Sequence, residues 1–171
     1  MSRDARRCAL QAIYQFDAAD GSDDQGVRKT LEGSRASQDA QARGYELACG
    51  AWERREEFDR LVAPLAPDWP THRQPMIDRN ILRIALHEIN DVGTPGKAAI
   101  NGAVELAKEF GGEKSSGFVN AVLDKLWKAS LAPDPAPEVE PVVESESVSD
   151  LAPDSEPDSE PTTEAATEPD C

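Results

Sequence analysis

Three arginines stand within five residues near the amino end: Arg3, Arg6 and Arg7. A guanidinium forks onto phosphate or carboxylate oxygens, so this segment carries the means to hold an anion. On a helix, Arg3 and Arg7, four apart, share a face. Taken alone, three arginines better describe an ordinary charged helix start. Lys97 and Asn101 repeat the four-residue spacing, and Lys114 follows Gly111-Gly112. Phe118 comes next, at an expected helix start after a glycine-rich loop, and its ring either reaches the surface or joins Val119, Val122 and Leu126 inside. Tyr14 is similarly open between surface and core, because it lies beside Ile13 and Phe16. Asp78 sits in the first turn of its helix, where a carboxylate favours the positive dipole end.

Covalent chemistry finds little to work with. Gly111-Gly112-Glu113-Lys114-Ser115 lacks the spacing and the preceding strand of a phosphate-binding loop. His72 and His87 are 15 apart, with no second ligand pair, and His87 reads as a packed side chain. Cys8, Cys49 and Cys171 form no CxxC and are odd in number, which speaks against a disulfide framework or a zinc site. The expectation is a protein without cofactor or metal that is not an enzyme. No apolar run approaches membrane-spanning length, so a cytoplasmic chain with no membrane partner is expected.

The charge is unevenly spread. The 171 residues carry a formal net charge of −15, yet 13 of the 33 acidic residues and none of the 18 basic ones lie from Leu131 onward. Residues 1–130 are thus close to neutral, and the overall acidity does not argue against a nucleic-acid partner. Eight of the 13 prolines also fall after Ser130, with no aromatic residue, and Leu131-Ala132-Pro133-Asp134 recurs at Leu151-Ala152-Pro153-Asp154. Such a segment buries too little apolar surface to offset its ordering entropy. The sequence predicts a domain over 1–130 and a disordered acidic, proline-rich tail over 131–171. The tail is either a solvated extension or an RNA mimic that folds back on Arg3, Arg6 and Arg7.

The elements that must position these residues are helices throughout. Ala5, Ala9, Ala12, Ile13 and Phe16 share one face of a first helix. A short helix over Val27–Leu31 ends at Gly33. A long helix is expected from about Gln38 to Val62, stopped by Pro64, Pro67, Pro70 and Pro75, with a short turn around Asp68–Arg73. Over Met76–Asn90 two apolar stripes, Ile77/Ile81/Ile84/Ala85 and Leu82/Leu86/Ile89, predict a central helix buried on more than one side. Thr94 is the expected N-cap of the next helix, with Pro95 in its first position. Gly111 is its expected left-handed terminus. Ser115 or Ser116 caps a last helix that shades into the tail after Trp127. Six or seven helices with short connections make an all-α compact bundle.

Four stretches go further than periodicity. They are Arg3–Tyr14 (RDARRCALQAIY), Ile77–Ile89 (IDRNILRIALHEI), Lys97–Asn101 with Val104–Gly111 (KAAIN, VELAKEFG), and Phe118–Asp124 (FVNAVLD). In this order and at these spacings the chain resembles the NusB family over essentially Met1–Leu126. The resemblance implies two small helical subdomains packed together and a role in processive antitermination on ribosomal RNA operons. Its implied partners are the ribosomal protein NusE, single-stranded boxA-type RNA, and, with other Nus factors, RNA polymerase.

The resemblance also implies roles for residues. Arg3, Arg6 and Arg7 correspond to the arginine-rich RNA-binding arm, here interrupted by Asp4. Phe118 corresponds to a phenylalanine that lies against an RNA base. Lys97 and Asn101 correspond to a Lys-x-x-Ile-Asn element, although Asn101 reads better as a residue hydrogen-bonding between helices and fixing their packing. Tyr14 and Asp78 correspond to positions that contact NusE. Lys114 is an inference from its own charge, since relatives often carry an acidic residue there. Gly102 stands where the family usually has glutamate, at about 1 kcal/mol in helix propensity relative to alanine. A thin arm and a missing carboxylate leave room for an alternative, a helical module that binds NusE without selecting RNA.

Overall fold

The computed structural model describes residues 1–21 and 23–131. Leu131, the first residue of the expected tail, ends the last helix, and the rest of that tail, Cys171 included, lies outside the described residues. Those described form seven α-helices and two short 3-10 turns, with no strand among them. The helices are α1 (Arg3–Ala18), α2 (Asp24–Glu32), α3 (Gln38–Glu53), α4 (Arg55–Val62), α5 (Met76–Asn90), α6 (Gly96–Phe110) and α7 (Ser115–Leu131). The 3-10 turns, Ala63–Leu65 and Thr71–Arg73, occupy the proline-rich stretch between α4 and α5.

Small residues let α1 and α3 approach closely. Ala5, Ala9 and Ala48 are fully buried, and a Cβ added at Gly44 would fall 2.4 Å from Cys8 Cβ and 2.7 Å from the Ala5 carbonyl oxygen. With α2, this pair forms one helical group. The other comprises α4–α7, in which α6 packs on both α5 and α7. The two groups meet where α5 lies against α1 and α3, and one continuous core runs through both, from Ile13 and Leu47 to Ile84, Leu106 and Leu123.

As its two stripes predict, α5 is buried on several sides. It also buries Asp78, Asn80, Arg83 and Glu88. Buried polar groups need partners, and α5 finds them at long range. Arg79 and Asn80 donate to Asp17 at 2.7 and 3.1 Å, and Arg83 donates to both oxygens of Asp59 at 2.9 and 2.6 Å. These contacts tie α5 to α1 and α4.

Four boundaries differ from expectation. The long helix breaks at Arg54, which leaves helical geometry (φ −99°, ψ 12°) so that Phe58 and Val62 of α4 turn into the core. Pro95, not Thr94, precedes the first turn of α6, and no side chain caps it. Gly111 is extended (φ −88°, ψ 179°) instead of left-handed. Ser115 lies inside α7, and its hydroxyl accepts from the Gly112 N–H at 2.8 Å.

Candidate nucleic-acid interface

The arginines divide into two kinds. Arg3 and Arg7 project from α1 toward the end of α6, where Glu109 accepts from both: 3.2 Å from Arg3, and 2.5 and 3.1 Å from Arg7. All three side chains remain open to water. Hydrogen bonding from Arg7, aided by Arg3, holds the Glu109 carboxyl below its ordinary range. A carboxylate therefore occupies the position that a phosphate would take between two forked cations.

Arg6, grouped with Arg3 and Arg7 in the RNA-binding arm that the resemblance implies, does not face outward with them. It is buried and donates to Glu88 at 2.9 Å, and Glu88 is almost wholly enclosed. Two weaker contacts reach the Met1 and Ala98 carbonyls. Gly102 makes this possible, since a Cβ there would fall 2.4 Å from the Arg6 guanidinium carbon. Breaking a buried ion pair leaves an uncompensated charge and costs about 3–5 kcal/mol. Substituting Arg6 would thus test the fold and not an RNA contact.

Along α6, Lys97 and Asn101 are both exposed. Asn101 makes no hydrogen bond between helices among the described residues, contrary to its structural reading. Lys114 is exposed just before α7. Phe118 is half-buried: part of its ring packs on the core, and part lines an open cleft with Trp69, Val122 and Lys125.

Tyr14 is 43% exposed, which resolves its two readings toward the surface. It lines a broad groove of about 640 Å³ with Arg7, Gln11, Ile77 and Phe110. Arg7 and Tyr14 are seven residues apart and so share a face of α1. Asp78 behaves differently. It stands in the first turn of α5 as expected, but it is buried, and it accepts from the Ser115 hydroxyl at 2.9 Å. Burial pushes its carboxyl up, against the hydrogen bond from Ser115, which lowers it. Its work is internal, joining the start of α5 to the start of α7.

His87 is packed as expected, with Nδ1 2.6 Å from Asp91 and its ring against Phe58. Among the described residues no group of three potential ligands could hold a metal, and no helix is long and apolar enough to cross a membrane. Sequence reasoning missed Glu109, Glu88 and Trp69. The two glutamates pair with residues 102 and 82 positions away, beyond any local spacing. Trp69 had a signal that went unused: a large aromatic in a proline-rich segment has no regular face on which to be buried.

The NusB family model matches residues 3–128. The transcription antitermination protein NusB of Roseiflexus sp. (strain RS-1) is 44% identical over 126 residues, which cover 72% of this chain and 89% of that protein. The structure is similar to that of T. maritima NusB, with a TM-score of 0.63 and 27% identity over 75% of this chain and 92% of that one. It shares its fold with a chain from a complex of antitermination factors NusB and NusE with dsRNA (TM-score 0.65, 24% identity, 74% and 96% covered).

Proposed function

The chain belongs to the NusB family, and on that premise we propose that it is an RNA-binding adaptor in the antitermination of ribosomal RNA operons, taking single-stranded boxA-type RNA together with NusE. The function is assigned to residues 1–130, with 131–171 as an accessory segment. Other Nus factors and RNA polymerase complete the assembly in this reading, and no covalent step is involved.

The observation that carries the proposal is the division of labour along α1. Arg3 and Arg7 offer exposed forked cations at one end, while Tyr14 opens a largely apolar groove further along the same helix. Cations hold phosphates, and an apolar groove with an exposed tyrosine suits a protein surface. NusE is assigned to the Tyr14 groove, with Ile77 and Phe110 as its apolar walls. Asp78 acts on that groove only through its neighbour Ile77, by fixing the start of α5 against Ser115. RNA is assigned to Arg3, Arg7, Lys97, Asn101, Lys114 and Phe118. Single-strand recognition combines phosphate contacts with stacking on aromatic faces, and Phe118 supplies the ring.

One observation favours the second reading, a module that binds NusE without selecting RNA. Arg6 is consumed internally, and Arg3 and Arg7 are already satisfied by Glu109. Titrating boxA-containing and scrambled RNA at two salt concentrations, with and without NusE, separates the two. Selective binding that strengthens with NusE is the expected result. NusE binding with equal affinity for both RNAs would leave the second reading standing.

A further inference from the structure

We propose that Trp69 is a second base-binding side chain of the RNA surface, forming with Phe118 the walls of a cleft that receives one nucleobase. This rests on the reading of Phe118 as an RNA contact. Trp69 is 48% exposed, an unusual position for an indole with no partner across it. The cleft it lines measures about 230 Å³ and is lined also by Leu65 and by Phe118 and Val122 of α7.

The segment that carries Trp69 is stiff. Pro67 and Pro70 flank it, each fixing its own φ. The Trp69 N–H donates to the Ala66 carbonyl at 3.0 Å. Its own carbonyl accepts from Gln74 Nε2 at 2.9 Å, and Gln74 is buried. An aromatic ring on a restrained backbone loses little entropy when a ligand stacks on it.

The polar groups at the rim give the ligand a direction. Phe118, Ala121, Val122 and Lys125 recur at helical spacing on one face of α7, so Lys125 lies two turns beyond Phe118 on the cleft side. Its ammonium is exposed and suits a phosphate of the same strand. Asp68, next to Trp69 in the chain, also lines the cleft and repels one. The backbone therefore passes on the α7 side, and the base enters between the rings. An apolar cleft with aromatic walls and a single cation fits a nucleobase with its phosphate.

The test compares the full chain with Trp69→Ala, Trp69→Phe and Phe118→Ala for binding to boxA-containing RNA, after thermal unfolding shows each variant folded. Base stacking on an aromatic ring contributes enough that its loss weakens binding about tenfold. Trp69→Ala is expected to lose about that much, while Trp69→Phe retains most of the affinity. RNA should quench tryptophan fluorescence in the unaltered chain, and Trp69→Phe should remove that quenching while binding persists. If Phe118→Ala weakens RNA binding and both Trp69 variants bind as the unaltered chain does, the inference is overturned and the functional reading stands. If Trp69→Ala weakens NusE binding alone, the cleft belongs to protein and the inference again fails. No selectivity for boxA in the unaltered chain would overturn the functional reading, and this one with it.

Discussion

Glu109 and Asp78 are two carboxylates with opposite displacements, and each makes a prediction. Glu109 is held low by Arg7 and Arg3, so it is an anion at neutral pH, and it competes with phosphate for the same two cations. Glu109→Gln removes the competitor. RNA affinity at low salt should rise about threefold to tenfold, with a steeper salt dependence as two freed arginines displace counterions. Filter binding across a salt series reads both quantities. Asp78 is pushed up by burial. A group that titrates higher in the folded chain stabilises it most at acid pH, and that contribution fades as pH rises through its folded value. Asp78→Asn, which can still accept from Ser115, should therefore raise the melting temperature near neutral pH. The gap should close as pH falls below the ordinary aspartate range. An equal melting temperature at neutral pH would mean that Asp78 bears no burial penalty. The sequence announced Arg3 and Arg7 as cations on one face, because type and spacing are local facts, and it left Tyr14 open between surface and core. It concealed the fate of Arg6, because that depends on Glu88 and Gly102, which only the fold brings to it.

At the scale of elements, α1 approaches α3 backbone to backbone at Gly44. A methyl group at Gly44 would meet Cys8 Cβ and the Ala5 carbonyl, neither of which can yield as the tip of a long side chain can. Overpacking of this kind costs about 1–3 kcal/mol, more than the helix propensity that alanine gains over glycine. Gly44→Ala should lower stability by about 2 kcal/mol in a denaturant titration, and because α1 carries Arg3 and Arg7, RNA binding should weaken as well. The helices themselves were largely legible, since α1, α5 and α6 each announce a buried face by spacing alone. The break at Arg54 was not. Residues on both sides of it are good helix formers, and the turn exists because Phe58 must reach the core, a demand made by distant helices. Asn101 failed for the converse reason: a polar residue beside the apolar stripe of α6 gives no sign of whether another helix lies opposite.

For the whole molecule, charge is the property that local reading and structure treat most differently. Residues 1–130 are nearly neutral, and the segment beyond carries 13 acidic residues and no basic one. Removing residues 132–171 should raise affinity for unrelated RNA at low salt, because a strong like charge no longer opposes approach. The increase should vanish at high salt, where the Debye length shortens to a few ångströms. Unchanged binding at low salt would make the segment a passive extension. A different consequence follows from the carboxylates that restrain the arginines. Arg7 leaves the ribosome about 5–20 s before Glu109 at ordinary synthesis rates, and Arg6 must likewise wait for Glu88. During that interval the amino-terminal arginines lack their long-range carboxylate partners, with only Asp4 beside Arg7, and they grow out of a particle made largely of RNA. The nascent chain is thus stickier toward nucleic acid than the finished one, and completion of α6 marks its release as well as its folding.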